Sequence, residues 1–341
     1  MDNFLDKIFF RSRNLDYISQ NLINLTNQTP AKRIFEALNT YSESSEVRYV
    51  GGCVRKIIKK EIVDDIDLAT NLKPNEVCDA LKKKDINYYE SGIEHGTITA
   101  IIDDYKYEIT SLRKDVSTDG RHAKVEFSSD WKEDAARRDF SINSIYSDKN
   151  GNLFDPYNGK KDLESGNINF IGDSENRIKE DYLRILRYVR FFTNYSNQTH
   201  DVNIIKKIKK NIGGVSKLSS ERLLDEFKKL TRSNAFLKIF NDKVSLELIE
   251  IIFPQLKNLE NFKKLNSYAI DNLSKIDFIF LLSLLIVDGT DNTEYFLYKF
   301  NISKKDQKRL RSINFFYKEN LNIKNLNKIF YYNGKQTVLD L

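Results

Sequence analysis

The hydrophobic pattern of this 341-residue chain changes period near residue 160, and that change restricts the folds open to it. Before it, short runs rich in β-branched and aromatic residues at 48–50, 65–69, 97–102 and 106–112 read as strands. The last two are separated by Asp103-Asp104-Tyr105 and read as a hairpin. Helical stretches at 54–60 and 74–84 lie between strands, the second opened by Pro74 at an early helical position. Beyond 160, apolar residues recur at helical spacing over 181–192, 220–230, 245–252, 277–287, 293–300 and 304–317. Residues 1–45 also read as helical, with an amphipathic piece at Ile34, Phe35 and Leu38. The expected fold class is α+β: a mixed β-sheet with helices, followed by an all-α remainder.

Composition narrows the partners. Hydrophobic residues make up 40% of the chain and charged residues 30%, with only 13 Gly and 4 Pro, so a disordered or linker-rich chain is excluded. The formal charge of +6 fits a nucleic-acid partner without requiring one. Cys53 and Cys78 lack metal-ligand spacing and read as reduced thiols of a cytoplasmic protein. Met1-Asp2 is not followed by the basic start and apolar run of a secretory leader. The longest apolar stretch, 276–287, is too short to span a bilayer and reads as a buried helix, so no membrane partner is expected.

The segment richest in chemistry is Tyr49-Val50-Gly51-Gly52-Cys53-Val54-Arg55, followed by Asp64-Asp65-Ile66-Asp67-Leu68-Ala69-Thr70. Gly51 and Gly52 end a strand and open a helix, and without Cβ atoms the backbone there can approach a triphosphate. Arg55, one turn in, adds charge for the same phosphates. Asp65 and Asp67, two apart on a strand, project to one face while Ile66 and Leu68 take the other. Two carboxylates held side by side repel unless a cation sits between them, and hard oxygen ligands suit Mg²⁺. Asp-X-Asp alone is common; the Gly-Gly turn upstream gives it weight. Glu108, on the second strand of the hairpin, either completes a three-carboxylate site or is an exposed strand glutamate.

Taken in order, these segments resemble those of the class II tRNA nucleotidyltransferase and bacterial poly(A) polymerase superfamily. VGGCVR and DDIDLAT resemble its first motif, GIEHGTIT and YEITSLRKD its following strands, and DGRHAKVEF its flexible-loop region. EDAARRDFSINSI resembles its second motif, ENRIKEDYLRILRYVRF its nucleobase-recognition helix and SSERLLDEF its neck motif. The resemblance covers about 46–230. It implies an N-terminal helical segment (1–45), a polymerase-β-like catalytic head (46–160), a helical neck (161–240) and a short helical body and tail (241–341). Two departures stand out: Lys56 follows the motif arginine where the family usually has Asp, and Lys59-Lys60-Glu61 stands where a Gly often follows.

The resemblance further implies an activity. Asp65 and Asp67 would hold two Mg²⁺ ions, with Glu108 as third carboxylate, for an in-line transfer that releases pyrophosphate. Arg138 and Asp139 match the family's base- and ribose-facing pair, and a carboxylate that accepts from a 2′-hydroxyl favours ribonucleotides. Asp181, Arg184, Arg187 and Arg190 recur every third residue and wind across a helix whose buried stripe is Ile185, Val189 and Phe192. Asp181 and Arg184 are neighbours there; a carboxylate that accepts beside a guanidinium that donates fits the pairing edges of C and A and mismatches G and U. The implied reaction is addition of C, C and A from CTP and ATP to the 3′ end of tRNA without a template. Poly(A) synthesis, a split CC-adding or A-adding activity, and a non-catalytic RNA-binding module are the alternatives. The Ser91–Thr97 segment lacks the arginine-rich strand typical of bacterial poly(A) polymerases, and the Asp119-Gly120-Arg121 loop favours the complete activity. Lys304, Lys305, Lys308, Arg309 and Arg311 either contact RNA phosphates of the acceptor stem or form a solvated helix face. His200-Asp201 resembles a phosphohydrolase dipeptide, but three histidines in the whole chain do not make such a metal cluster.

Overall fold

The computed structural model describes residues 16–119, 122–233, 235–317, 319 and 321–341. The chain divides into two compact units, the first ending at Asp173 and the second beginning at Ser174.

The first unit is built on a seven-stranded sheet in the order β3-β4-β5-β2-β1-β8-β9. Its strands are β1 (Val47–Val50), β2 (Ile66–Thr70), β3 (Asn87–Gly92), β4 (Thr97–Ile102), β5 (Tyr105–Ser111), β8 (Tyr146–Ser147) and β9 (Leu153–Phe154). All neighbours are antiparallel except β2 and β5, which run parallel in the middle of the sheet. The expected hairpin is β4–β5, turned at Asp103-Asp104, where Asp103 takes a left-handed φ of +52°. Strand alternation puts Ile98, Ala100 and Ile102 on the buried face.

That face is covered by helices whose apolar stripes meet it. They are α1 (Tyr17–Gln28), α2 (Ala31–Asn39), α3 (Gly52–Ile58) and α4 (Pro74–Lys82). Ile34, Phe35 and Leu38 of α2 are fully buried with Tyr49, Leu68 and Ile109 of the sheet. Phe35 tilts against Tyr49 at 4.8 Å, and the Tyr49 hydroxyl shares a hydrogen bond of 2.9 Å with Thr26. Helix starts follow local chemistry: Asp16 accepts from the Ser19 N–H at 2.8 Å, and Glu76 reaches back to the Lys73 N–H at 2.7 Å ahead of Pro74. A separate two-stranded pair, β6 (Arg113–Asp119) with β7 (His122–Phe127), lies outside the large sheet. Gly120 and Arg121 of the expected flexible loop, and residues 1–15 of the N-terminal segment, lie outside the described residues. The sequence pattern does not announce β3, β6 and β7, because polar runs such as Asn87-Tyr88-Tyr89-Glu90 give no apolar alternation, nor β8 and β9, which are two residues long.

The second unit is helical throughout: α7 (Ser174–Glu180), α8 (Leu183–Tyr195), α9 (Val202–Asn211), α10 (Ser220–Thr231), α11 (Lys243–Ile252), α12 (Ser267–Asp271), α13 (Phe278–Ile286), α14 (Asn292–Lys299), α15 (Lys304–Phe316) and α16 (Ile323–Asp340). (Two shorter helices, α5 at Trp131–Ala136 and α6 at Gly159–Ser165, belong to the first unit.) Most starts carry an N-cap that accepts from the first turn, including Asp201, Ser219, Asp242, Asp277 and Ser303. The apolar run at 276–287 is the buried α13, and among the described residues no helix is long and apolar enough to cross a membrane.

Arg309 fastens the end of this unit. Its Nε and Nη2 donate to the Asp340 carboxylate at 2.5 and 2.6 Å, and its Nη1 to Asp277 at 2.5 Å. The Asp340 side chain is 3% exposed, and Gln336 Nε2 donates to the same carboxylate at 2.9 Å. Arg309→Ala should therefore lower stability by about 2–3 kcal/mol, because it leaves that buried carboxylate with the neutral Gln336 amide in place of a cation. A denaturant melt that moves by less than about 0.5 kcal/mol would return Arg309 to the solvent-facing role.

Candidate active site

Strand β1 ends in two buried residues, Tyr49 and Val50, and the chain then turns sharply into α3. Gly51 makes the turn with φ +66°, and a Cβ there would meet the Asn143 carbonyl oxygen at 3.6 Å and Arg138 Nη1 at 3.8 Å. A Cβ on Gly52 would lie 3.7 Å from Asp67 Oδ2. The glycine pair thus brings β1, α3, the second motif and the aspartate strand to one place.

Asp67 is half-buried on β2, while Ile66 and Leu68 point into the core, as alternation predicts. Asp65 precedes the first residue of β2 and is exposed. Parallel pairing of β2 with β5 sets Glu108 in register beside Asp67, which puts Glu108 next to the aspartate strand. Burial and then the Glu108 charge push the Asp67 carboxyl up to about 6; Asp65 adds to this, while Arg138 and Arg55 oppose it. Among the described residues no three His, Cys, Asp or Glu side chains form a ready metal cage.

Two polar relays back the site. Arg55 is buried and donates to Asn143 Oδ1; Asn143 Nδ2 in turn donates to Asp139 Oδ1 at 2.8 Å. The Phe140 N–H donates to the same Asp139 oxygen at 2.9 Å. Arg138 donates through Nε and Nη2 to Asp134 Oδ2 at 3.2 and 3.0 Å and through Nε to the Tyr146 hydroxyl at 2.9 Å, and that hydroxyl donates to Asp134 at 2.7 Å. Burial alone would raise the Asp134 carboxyl, but Arg138 and Arg137 hold it well below the usual range. Asp134, Asn143 and Tyr146 were not among the expected site residues. The first two lie within the EDAARRDFSINSI segment and Tyr146 directly follows it, but only the fold shows what they touch.

In the second unit the expected base-reading set is rearranged. The helix begins at Leu183, so Asp181 stands just ahead of it and accepts from the Leu183 N–H at 3.1 Å. Its other oxygen takes Arg222 Nη2 at 2.7 Å. Arg184 does not pair with Asp181: its Nη1 donates to Glu180 Oε2 at 2.6 Å and to the Arg177 carbonyl at 2.7 Å. Arg184, the second residue of α8, thus reaches back across the break between the two helices to Glu180, the last residue of α7. Arg190 pairs with the buried Glu226 at 2.5 Å and lies over Phe191 at 4.2 Å; Arg187 lies over the same ring at 5.5 Å. Ile185, Val189 and Phe192 are the buried stripe. Arg222 was the missed partner; it lies in the SSERLLDEF segment, 41 residues from Asp181.

The C-terminal cations also separate. Lys304, Lys305 and Lys308 are exposed, whereas Arg309 is held by Asp340 and Asp277, and Arg311 forks onto Glu294 at 2.7 and 2.8 Å. His200 is stacked 3.5 Å from Phe192 and held by Asp242 at 2.7 Å and the Tyr188 hydroxyl at 3.0 Å, a packing role.

Residues 47–169 match the poly(A) polymerase head domain, and residues 201–260 match the probable RNA- and SrmB-binding site of polymerase A. The chain is 39% identical over 249 residues to human CCA tRNA nucleotidyltransferase 1, mitochondrial, an alignment covering 72% of this chain and 57% of that one. It is 34% identical over 232 residues to the CCA-adding enzyme of Staphylococcus haemolyticus, covering 67% and 56%. The chain therefore spans little more than half the length of these curated relatives. The Bacillus stearothermophilus CCA-adding enzyme, solved in complex with CTP, shares the fold with a TM-score of 0.71 at 23% identity over 91% of this chain and 75% of that one. With both family models matched and these relatives 34% and 39% identical, the chain belongs to the superfamily of class II CCA-adding enzymes and poly(A) polymerases.

Proposed function

We propose that this protein adds C, C and A to the 3′ end of tRNA from CTP and ATP, without a nucleic-acid template and with release of pyrophosphate. The observation that carries the proposal is the crowded Asp67 carboxylate, beside Glu108 and against Gly52, with Arg55 and Arg138 in its field. The chemistry of that donor set fits Mg²⁺, with Asp65 and Asp67 as the residues that would hold it. Mg²⁺ typically takes one or two carboxylates and fills the rest of its shell with water and substrate phosphates, so an all-protein cage is not needed. When bound, a pair of such ions supplies the charge that activates the RNA 3′-hydroxyl and neutralises the triphosphate.

The chain's own residues do the rest. The Gly51-Gly52 backbone admits the phosphates, and Arg55 and Arg138 stand ready to balance their charge. Asp139, oriented through Asn143, accepts from the ribose 2′-hydroxyl. Asp181, oriented by Arg222, accepts from the amino group of C or A. Arg184 donates to the adjacent ring nitrogen: a guanidinium has five N–H donors, and the bonds to Glu180 and the Arg177 carbonyl use its Nη1. Arg187 and Arg190 act as packing supports for that helix. Residues 161–240 serve as neck and 241–341 as body and tail, where Lys304, Lys305 and Lys308 meet tRNA phosphates. Two buried free thiols fit a reducing compartment, and the cytoplasm is the proposed one.

The test is extension of tRNA lacking its CCA end, read nucleotide by nucleotide. CTP alone should add two residues, ATP alone none, and the mixture three. A long A tail would instead make the protein a poly(A) polymerase, a stop after two a CC-adding enzyme, and no extension a binding module. Asp65→Ala and Asp67→Ala should each abolish incorporation of every nucleotide while circular dichroism stays native. Asp181→Ala should retain turnover but lose on the order of 1–3 kcal/mol of discrimination against UTP and GTP, since Arg184 alone can donate to an acceptor on either kind of edge. Full discrimination in that variant would make the Asp181–Arg222 pair structural.

A second measurement addresses the tail. Replacing Lys304, Lys305 and Lys308 together by Ala should weaken tRNA binding and lower the slope of log affinity against log salt by up to about 3, leaving CTP binding unchanged. An unchanged slope would make that face merely solvated.

A further inference from the structure

Helix α3 ends at Ile58, and the seven residues between it and Ile66 decide where Asp65 stands. Lys60 takes a left-handed φ of +59°. Its N–H donates to the Ile57 carbonyl at 3.1 Å, and the Glu61 N–H donates to the Lys56 carbonyl at 2.8 Å. This double bond pattern is a Schellman end, the place where glycine is most at ease. Lys60 therefore keeps the backbone shape of a glycine at the cost of some strain. From Glu61 to Asp65 the chain has no regular structure until Ile66, which is buried, enters the sheet.

One side chain spans that irregular segment. The Lys56 ammonium donates to Asp64 Oδ1, the residue directly before Asp65. Lys56 thus holds the segment at both ends, by its carbonyl at Glu61 and by its ammonium at Asp64. The Lys56 side chain is 24% exposed and that of Asp64 66%, so the pair adds little to global stability. Its effect is on position: with Asp64 tethered and Ile66 buried, the Asp65 backbone is fixed on both sides.

We infer that Lys56 is a positioning residue for Asp65, acting through the Asp64 carboxylate. The inference rests on the proposal that Asp65 serves nucleotidyl transfer with Asp67. An aspartate at 56 would instead face Asp64 with like charge. Lys56→Asp, which sets a second negative charge against Asp64, should be more damaging here than Lys56→Ala.

The test combines amide hydrogen exchange of residues 61–66 with steady-state CTP incorporation on tRNA. Lys56→Ala and Asp64→Asn should each speed exchange of those amides and lower kcat by about tenfold, less than the roughly hundredfold cost of a full ångström's misplacement. The KM for CTP should stay within about twofold, and the melting temperature within about 2 °C, since an exposed ion pair is broken. Lys56→Arg and the swap of Lys56→Asp with Asp64→Lys should restore both readouts. Equal exchange and equal kcat in wild type and Lys56→Ala overturn this inference and leave the functional proposal standing. So does a kcat loss that accompanies a large fall in melting temperature and that Lys56→Arg does not rescue. A wild type that transfers no nucleotide overturns the functional proposal, and this inference with it.

Discussion

The organising constraint of the first unit is one carboxylate placed where it is costly to ionise. Asp67 is half-buried, Glu108 stands beside it in register, and Asp65 adds a third negative charge nearby. With its carboxyl pushed up to about 6, folding favours the protonated form. The cost of ionising it is therefore absent below the ordinary value of 3.8, grows as pH rises, and is complete above about 6. At neutral pH the fold carries an electrostatic cost that a bound cation would remove. The surroundings serve that arrangement. Gly52 yields the space, Arg55 and Arg138 soften the charge, and the Asn143 and Asp134 relays hold both arginines in place.

The second unit uses charge differently. Its ion pairs tie helices together: Asp181 to Arg222 and Arg190 to Glu226 link α8 with α10, and Arg309 links α15 to both α13 and the end of α16. Several of these arginines look from sequence like ligand contacts. In the fold, Arg190 and Arg309 are spent on buried carboxylates, which makes them supports. Asp181 differs, because its partner Arg222 and the Leu183 N–H fix its orientation while the residue keeps partial exposure. An oriented, partly accessible carboxylate is what recognition of an amino group requires.

Much of the head could be read from sequence because its signals are local. The Gly51-Gly52 turn, the alternation around Asp67 and the β4–β5 hairpin each lie within a dozen residues. Glu108 stayed ambiguous because its neighbour is set by parallel pairing of strands 41 residues apart in register, which no local pattern announces. The same holds for Asp181 and Arg222, and for Arg309, whose partners lie 31 and 32 residues away. Asp181 and Arg184 were close in sequence and expected to act as a pair, yet the start of α8 at Leu183 turned each toward another partner. The helix α16 was not anticipated, since its sequence lacks a clean apolar stripe and Gly334 interrupts its dihedrals.

If Asp67 is held in a state that calls for a cation, its own titration must show it. Carbon-13 NMR of labelled aspartate, assigned by comparison with Asp67→Asn, would follow that carboxyl as pH changes. An apparent pKa near 6 is expected in the free protein. Adding Mg²⁺ with an unreactive CTP analogue should carry it below the ordinary carboxylate value of about 4. An ordinary value in the free protein that Mg²⁺ and the nucleotide do not move would mean that Asp67 neither carries that electrostatic cost nor holds the cation.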